Sequence, residues 1–200
     1  MSSEVTYKPE WEQVPQGRLA LWILIAGELM IFGGLVMGYL LSRVRFPEWG
    51  EQAAHTSTMW GAVNTVVLLT SSYFAVKAHD AAIKKDLKKV TTFMLSTIAC
   101  GFMFLGVKSI EYTTEIHHGF TLPGTQVAAT DPIGSTFWNY YYLMTGLHGV
   151  HVIVGMIILF VVWLKARKGI NLQRVEAAGL YWHMVDLVWI FLFPLLYIAK

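Results

Sequence analysis

Five stretches of this chain are apolar for about the length a helix needs to cross ~30 Å of hydrocarbon, roughly 20 residues. They run approximately over residues 19–41, 59–78, 92–110, 137–164 and 177–199. Inside a bilayer no backbone N–H or C=O can be left unpaired, and a helix satisfies all of them locally. The expected fold class is therefore all-α, an integral membrane bundle of five transmembrane helices. No long polar segment remains to house a second core, so residues 1–200 are expected to form a single transmembrane domain. Composition agrees, because 14% charged residues is about half of what a soluble domain carries. The fourth window exceeds a perpendicular crossing and should tilt or protrude.

The basic residues report orientation. Counting Lys77 at the end of span two, Lys and Arg number eleven in the N-terminal tail and the segments after spans two and four, against three in the alternate segments. The positive-inside rule then places the N-terminus, "KAHDAAIKKDLKK" and "KARKGINLQR" in the cytoplasm and the C-terminus on the other side. The loop "EIHHGFTLPGTQVAATDPIGST" has no Lys or Arg and reads as irregular structure on the non-cytoplasmic side. Trp11, Trp49, Trp60, Trp138 and Trp163 fall near span ends, where interfacial anchoring would put them. The N-terminal segment lacks the pattern of a cleaved signal peptide. A lone Cys100 allows no intrachain disulfide and no thiolate metal site. A net charge of +2, scattered over span ends, gives no reason to expect nucleic acid as a partner.

Ionisable groups inside the spans carry the information. Glu28 lies in "ILIAGELMIFGGLVMGYL" with no other charge in its helix, at an insertion cost of roughly 2.5–3.5 kcal/mol. It should face protein and be protonated, either as an interhelix hydrogen-bonding group or as a proton-exchanging carboxyl. Gly34 and Gly38 form a small-xxx-small pair beside it. Lys108 and Glu111, three apart, share a helix face and read as an ion pair at the membrane interface. His148 and His151 are also three apart, among glycines, in "TGLHGVHVIVG". Ligation would need donors from facing helices, so hydrogen bonding in a close-packed interface is the better reading. His117 and His118 are adjacent, point apart and read as solvated. His183 and Asp186 are three apart in "YWHMVDLVWIFLFPLLY" and can share a proton or hydrogen bond, which lowers the cost of burying both. No nucleophile with a base, phosphate-cradling loop, paired thiolates or metal-ligand cluster is apparent, so catalytic residues and a metal site are both expected to be absent.

Several of these segments also carry a resemblance. "EAAGLYWHMVDLVWIFLFPLLYI" is similar to the last helix of subunit III of the haem-copper oxidases, the cytochrome c oxidase subunit 3 family, with Glu176, Trp182, His183, Asp186 and Trp189 at matching positions. "YYLMTGLHGVHVIVG" resembles the family's threonine-glycine-histidine-glycine-histidine segment. "GELMIFGGLVMGY" resembles the helix bearing its carbodiimide-reactive glutamate, which falls on Glu28. "KSIEY" resembles the segment with an acid matching Glu111. The motifs touch four of the five spans, and the chain resembles the five-helix bacterial form, which lacks the first two helices of the longer form and hence one arm of its lipid-holding cleft.

The resemblance implies a non-catalytic accessory subunit of a proton-pumping oxidase in the bacterial inner membrane, working in aerobic respiration. It would stabilise the catalytic subunit, support proton uptake and border a lipid-lined oxygen route. Its partners would be catalytic subunit I, subunit II and membrane lipids. Cofactors would be none in this chain, with haem and copper in the partner subunits and phospholipid as a bound lipid. Glu28 would be the carbodiimide-reactive carboxyl. Glu111, His148, His151, Glu176, His183 and Asp186 would form an interhelix polar network, with Glu111 as partner of the two histidines. Cytochrome c oxidase is the leading assignment; a quinol oxidase subunit, a nitric oxide reductase accessory protein and an independent proton-coupled transporter are the alternatives.

Overall fold

The computed structural model describes residues 16–47, 49–118 and 132–199. These residues form helices α1 (Gln16–Arg45), α2 (Trp49–Ala54), α3 (Thr58–Ile83), α4 (Leu87–His117), α5 (Pro132–Ala166) and α6 (Arg174–Phe193). A π-helical turn, Pro194–Ile198, extends α6. Among the described residues there is no strand. Five of the helices are long and apolar enough to cross a membrane. Most of the loop after α4 and the N-terminal tail with Trp11 lie outside the described residues.

The helices run past their apolar windows. The third window suggests 92–110, yet α4 holds 31 residues. Hydropathy marks where solvent changes, whereas the backbone hydrogen-bond ladder continues into polar sequence. At the far end Thr113 and Thr114 return their hydroxyls to the carbonyls of Ser109 and Ile110. At the near end Asp86 accepts the N–H of Lys89 at 3.2 Å and caps the helix. That bond, together with the Lys89 ammonium, holds the Asp86 carboxyl below its ordinary range. Lys85 takes φ of 56° to close the turn into α4, and Gly169 takes 74° in the loop between α5 and α6.

In the bundle α3 packs on α4 and α6, and α5 closes the ring by packing on the same two helices. Their share of buried residues ranks them: 56% for the most apolar stretch of α6, 33% for the corresponding stretches of α3, α4 and α5, and 6% for α1. The last helix is therefore the centre, and α1 is a peripheral helix leaning on α5 and α6. Close packing around α6 relies on glycines at Gly61, Gly101 and Gly155. A Cβ at Gly155 would lie 2.9 Å from the Trp182 ring, and one at Gly101 would meet Met156 at 2.6 Å. Trp182 has little room to give way, since it is fully buried and its indole N–H donates to Ser71 Oγ at 2.9 Å.

The tryptophan belt is only part of the picture. Trp49 and Trp138, expected as interfacial anchors, are 0% and 1% exposed. Trp49 donates to the Ile133 carbonyl and Trp138 to Gln52, so α2 pins the end of α1 to the start of α5. A span-end indole that finds a carbonyl or amide inside the protein is better placed there than in the headgroup layer. Trp60 keeps substantial exposure. Gly155→Ala should destabilise the protein by about 1–3 kcal/mol through overpacking, read as a lower denaturation midpoint in detergent. Gly106→Ala, whose Cβ meets nothing within 4 Å, should change it by less than about 0.5 kcal/mol.

Candidate functional site

Three polar clusters join the helices, and each crosses from one helix to another. The first lies between α1 and α5, where His151 Nε2 and Glu28 Oε2 are 2.7 Å apart. The other ring nitrogen of His151 meets the Leu147 carbonyl at 2.7 Å. A carbonyl only accepts, so Nδ1 carries its hydrogen. One further proton then sits between Nε2 and Oε2, and the pair is net neutral whether the carboxyl or the imidazole holds it. Movement of the proton between the two groups leaves the net charge of the pair unchanged. Phe32 lies edge-on to the His151 ring at 5.2 Å and covers it. The side chains of His151 and Glu28 are 12% and 16% exposed, so the pair sits just under the surface.

The second cluster joins α3 and α6. His183 and Asp186 meet through Ser72 rather than directly: its hydroxyl donates to Asp186 Oδ2 at 2.6 Å and stands 2.8 Å from His183 Nδ1. With its own hydrogen turned to the aspartate, the hydroxyl oxygen accepts from the Nδ1–H of His183. A residue on another helix thus supplies the link that the spacing of three assigned to the pair itself.

The third cluster is the most enclosed. Lys108 and Glu111 pair at 3.1 Å with side chains 7% and 1% exposed, enclosed by the bundle. Two tyrosines make this depth tolerable. Lys108 Nζ donates to Tyr197 at 2.7 Å and Tyr141 at 3.2 Å, and both phenols donate to Glu111 Oε1 at 2.6 Å. All three ammonium hydrogens are used, and the rings of Tyr112, Tyr141, Trp189 and Tyr197 present their faces at 4.9–5.5 Å. Tyr197 belongs to the π-helical turn. Pro194 has no N–H to continue the α ladder, and the turn closes instead by Ala199 N–H to the Pro194 carbonyl at 2.9 Å.

With both its oxygens engaged by Lys108, Tyr141 and Tyr197, Glu111 is the partner of neither histidine. His148 and His151 diverge instead, since a step of three residues turns about 60° on an α-helix. His148 is fully buried between Phe104 and Trp189, with neither ring nitrogen hydrogen-bonded. Glu176 stands in the first turn of α6, half-buried. His117 and His118 are exposed. Among the described residues no three His, Cys, Asp or Glu side chains converge as metal ligands would. Nothing in the sequence singles out Ser72, Tyr141 or Tyr197; the available signal is a hydroxyl within an otherwise apolar stretch.

A multi-pass helical bundle that pairs Glu28, Asp186, Lys108 and Glu111 with polar groups on neighbouring helices defines an integral membrane protein of the polytopic class. The family model for cytochrome c oxidase subunit III matches residues 1–200, and the chain belongs to that family. It is 37% identical over 186 residues to cytochrome c oxidase subunit 3 of Thermostichus vulcanus, covering 90% of this chain and 86% of that one. Similarity to cytochrome c oxidase subunit 3 of Bacillus sp. (strain PS3) is 29% identity over 198 residues, 95% and 90% of the two chains. A probable quinol oxidase subunit 3 of Staphylococcus saprophyticus is 27% identical over 189 residues, 90% and 87%. The chain is a subunit III of a haem-copper oxidase, and as such it works with catalytic partner subunits.

Removing one member of the third cluster leaves a buried charge unmatched, which typically costs about 3–5 kcal/mol. Lys108→Met should therefore lower stability by about that amount in a detergent denaturation series, and Lys108→Met with Glu111→Leu should recover much of it. Ser72→Ala should cost about 1–3 kcal/mol, because it strips Asp186 and His183 of their shared partner.

Proposed function

We propose that this chain is a non-catalytic accessory subunit of a proton-pumping haem-copper oxidase, most directly a cytochrome c oxidase of the bacterial inner membrane. It packs against catalytic subunit I and subunit II, keeps the catalytic subunit stable during turnover and supports proton uptake near their shared boundary. Haem and copper belong to those partners, and this chain contributes a protein wall and a lipid-bordered route for oxygen. The N-terminus and the basic segments around Lys84–Lys89 and Lys165–Arg174 are cytoplasmic; the C-terminal end of α6 lies on the opposite side.

The observation that carries this reading is the Glu28–His151 pair. It sits where a mostly exposed helix joins the bundle, with an imidazole nitrogen and a carboxyl oxygen 2.7 Å apart. Stabilisation by the other two clusters is consistent with an accessory part, since their groups are engaged with one another rather than facing a cavity. The quinol oxidase relative supports a second reading in which the same chain serves a quinol-oxidising complex. The donor is set by other subunits.

Tagging the chain, solubilising membranes in mild detergent and purifying it should bring down larger subunits with a haem signal in the reduced-minus-oxidised spectrum. Oxygen uptake with cytochrome c exceeding that with quinol selects the leading reading, and the reverse selects the second. A colourless chain that purifies alone would overturn both. A hydrophobic carbodiimide should modify Glu28 ahead of the exposed acids Asp80 and Asp86, and Glu28→Gln should remove that labelling. Equal labelling of all three would count against a proton-related role for Glu28.

A further inference from the structure

At the basic end of the bundle, where α4 begins and α5 has just ended, an open cleft of about 450 Å³ is lined by Leu87, Lys88, Thr91, Thr92 and Arg167. It is remote in the fold from the Glu28–His151 seam and from both other clusters. Its lining has two cations and no acid. The neighbouring Lys84 and Lys89 are paired with Asp80 and Asp86, whereas Lys88 and Arg167 make no ion pair with a described residue. Arg167 is not loose, because its guanidinium lies 4.9 Å above the Trp163 ring. Stacking fixes the plane of the fork and leaves its N–H edges free to donate. The Thr91 hydroxyl adds a donor without a partner among the described residues, while Thr92 turns its own hydrogen to the Lys88 carbonyl at 3.1 Å.

The wall below the donors is apolar. On α4 the face that bears Thr91 and Thr92 continues one turn on with Leu95 and two turns further with Phe102, 41% and 65% exposed. On α5, Phe160 stacks on Trp163 and is itself 47% exposed. A ligand suited to this arrangement carries a compact anion with several acceptor oxygens at one end and hydrocarbon at the other. Guanidinium and ammonium donors side by side match the oxygens of a phosphate group, and clefts of this kind between helices at a basic membrane face suit lipid headgroups.

We propose that the Lys88–Arg167 cleft binds the phosphate group of an anionic membrane phospholipid, whose acyl chains lie along Leu95, Phe102 and Phe160. The test is native mass spectrometry of the purified, delipidated oxidase complex titrated with phosphatidylglycerol. The wild type should take up a lipid that Lys88→Gln/Arg167→Gln binds roughly 30-fold more weakly, at about 1 kcal/mol for each cation. Lys88→Gln and Arg167→Gln alone should each lose about fivefold. Both side chains are exposed, so assembly and the haem spectrum should be unchanged. Lys84→Gln/Lys85→Gln removes two charges at the same end outside the cleft and should leave the lipid bound. Excess inorganic phosphate should fail to displace it. Unchanged binding in Lys88→Gln/Arg167→Gln, or an equal loss in the Lys84/Lys85 control, would overturn the site. Displacement by inorganic phosphate alone would assign the same donors to free phosphate and overturn the lipid.

Discussion

A charge inside hydrocarbon has to be matched by the protein itself, and in three clusters of this bundle the match is made across helices. Lys108 and Glu111 are near neighbours on α4, yet their pair stays dry only because Tyr141 from α5 and Tyr197 from the turn beyond α6 fill the remaining hydrogen-bonding positions. The same demand places Ser72 between His183 and Asp186, and Glu28 against His151. Lipid supplies no hydrophobic force to press apolar helices together, so polar contacts and close packing at small residues set the register. Here polar contacts do so between α1 and α5, between α3 and α6, and among α4, α5 and the turn beyond α6.

This division of labour explains why the helices are so unequal. The residues of α6 face inward on most sides, and its indoles and phenols reach hydroxyls, an ammonium and a carboxylate on three neighbours. By contrast α1 offers the bundle a narrow stripe: Glu28, Phe32 and Tyr39, with Tyr39 buried among Trp49, Phe137 and Tyr140. Most of its surface, from Trp22 to Val44, is open. A helix so lightly held is suited to a membrane protein that shares it with a partner.

Much of this was legible in the sequence. Five apolar windows predict five long helices, because length and hydropathy report the solvent directly. The acids and histidines inside those windows were visible as costly groups, so Glu28, Glu111, His151, His183 and Asp186 could be named without coordinates. Their partners were not legible. A spacing of three says that two residues share a helix face, but which neighbouring helix supplies Ser72 or Tyr197 depends on how the helices are arranged around one another. His148 and His151 show the limit well: one period apart in sequence, they end in different seams. The buried Trp49 and Trp138 show another, since position at a span end does not decide whether an indole points outward or inward.

The far end of α6 carries a consequence for how the chain is made. Its last carbonyls cannot be satisfied by their own helix. Two of them accept instead from Tyr39 to Leu195 and from Thr58 to Tyr197, hydroxyls that precede their acceptors by 156 and 139 residues. During synthesis every donor is already in the membrane when its acceptor emerges. Tyr39 and Thr58 therefore wait with open hydroxyls, and the final helix acts as the latch that draws α1 and α3 into their settled places.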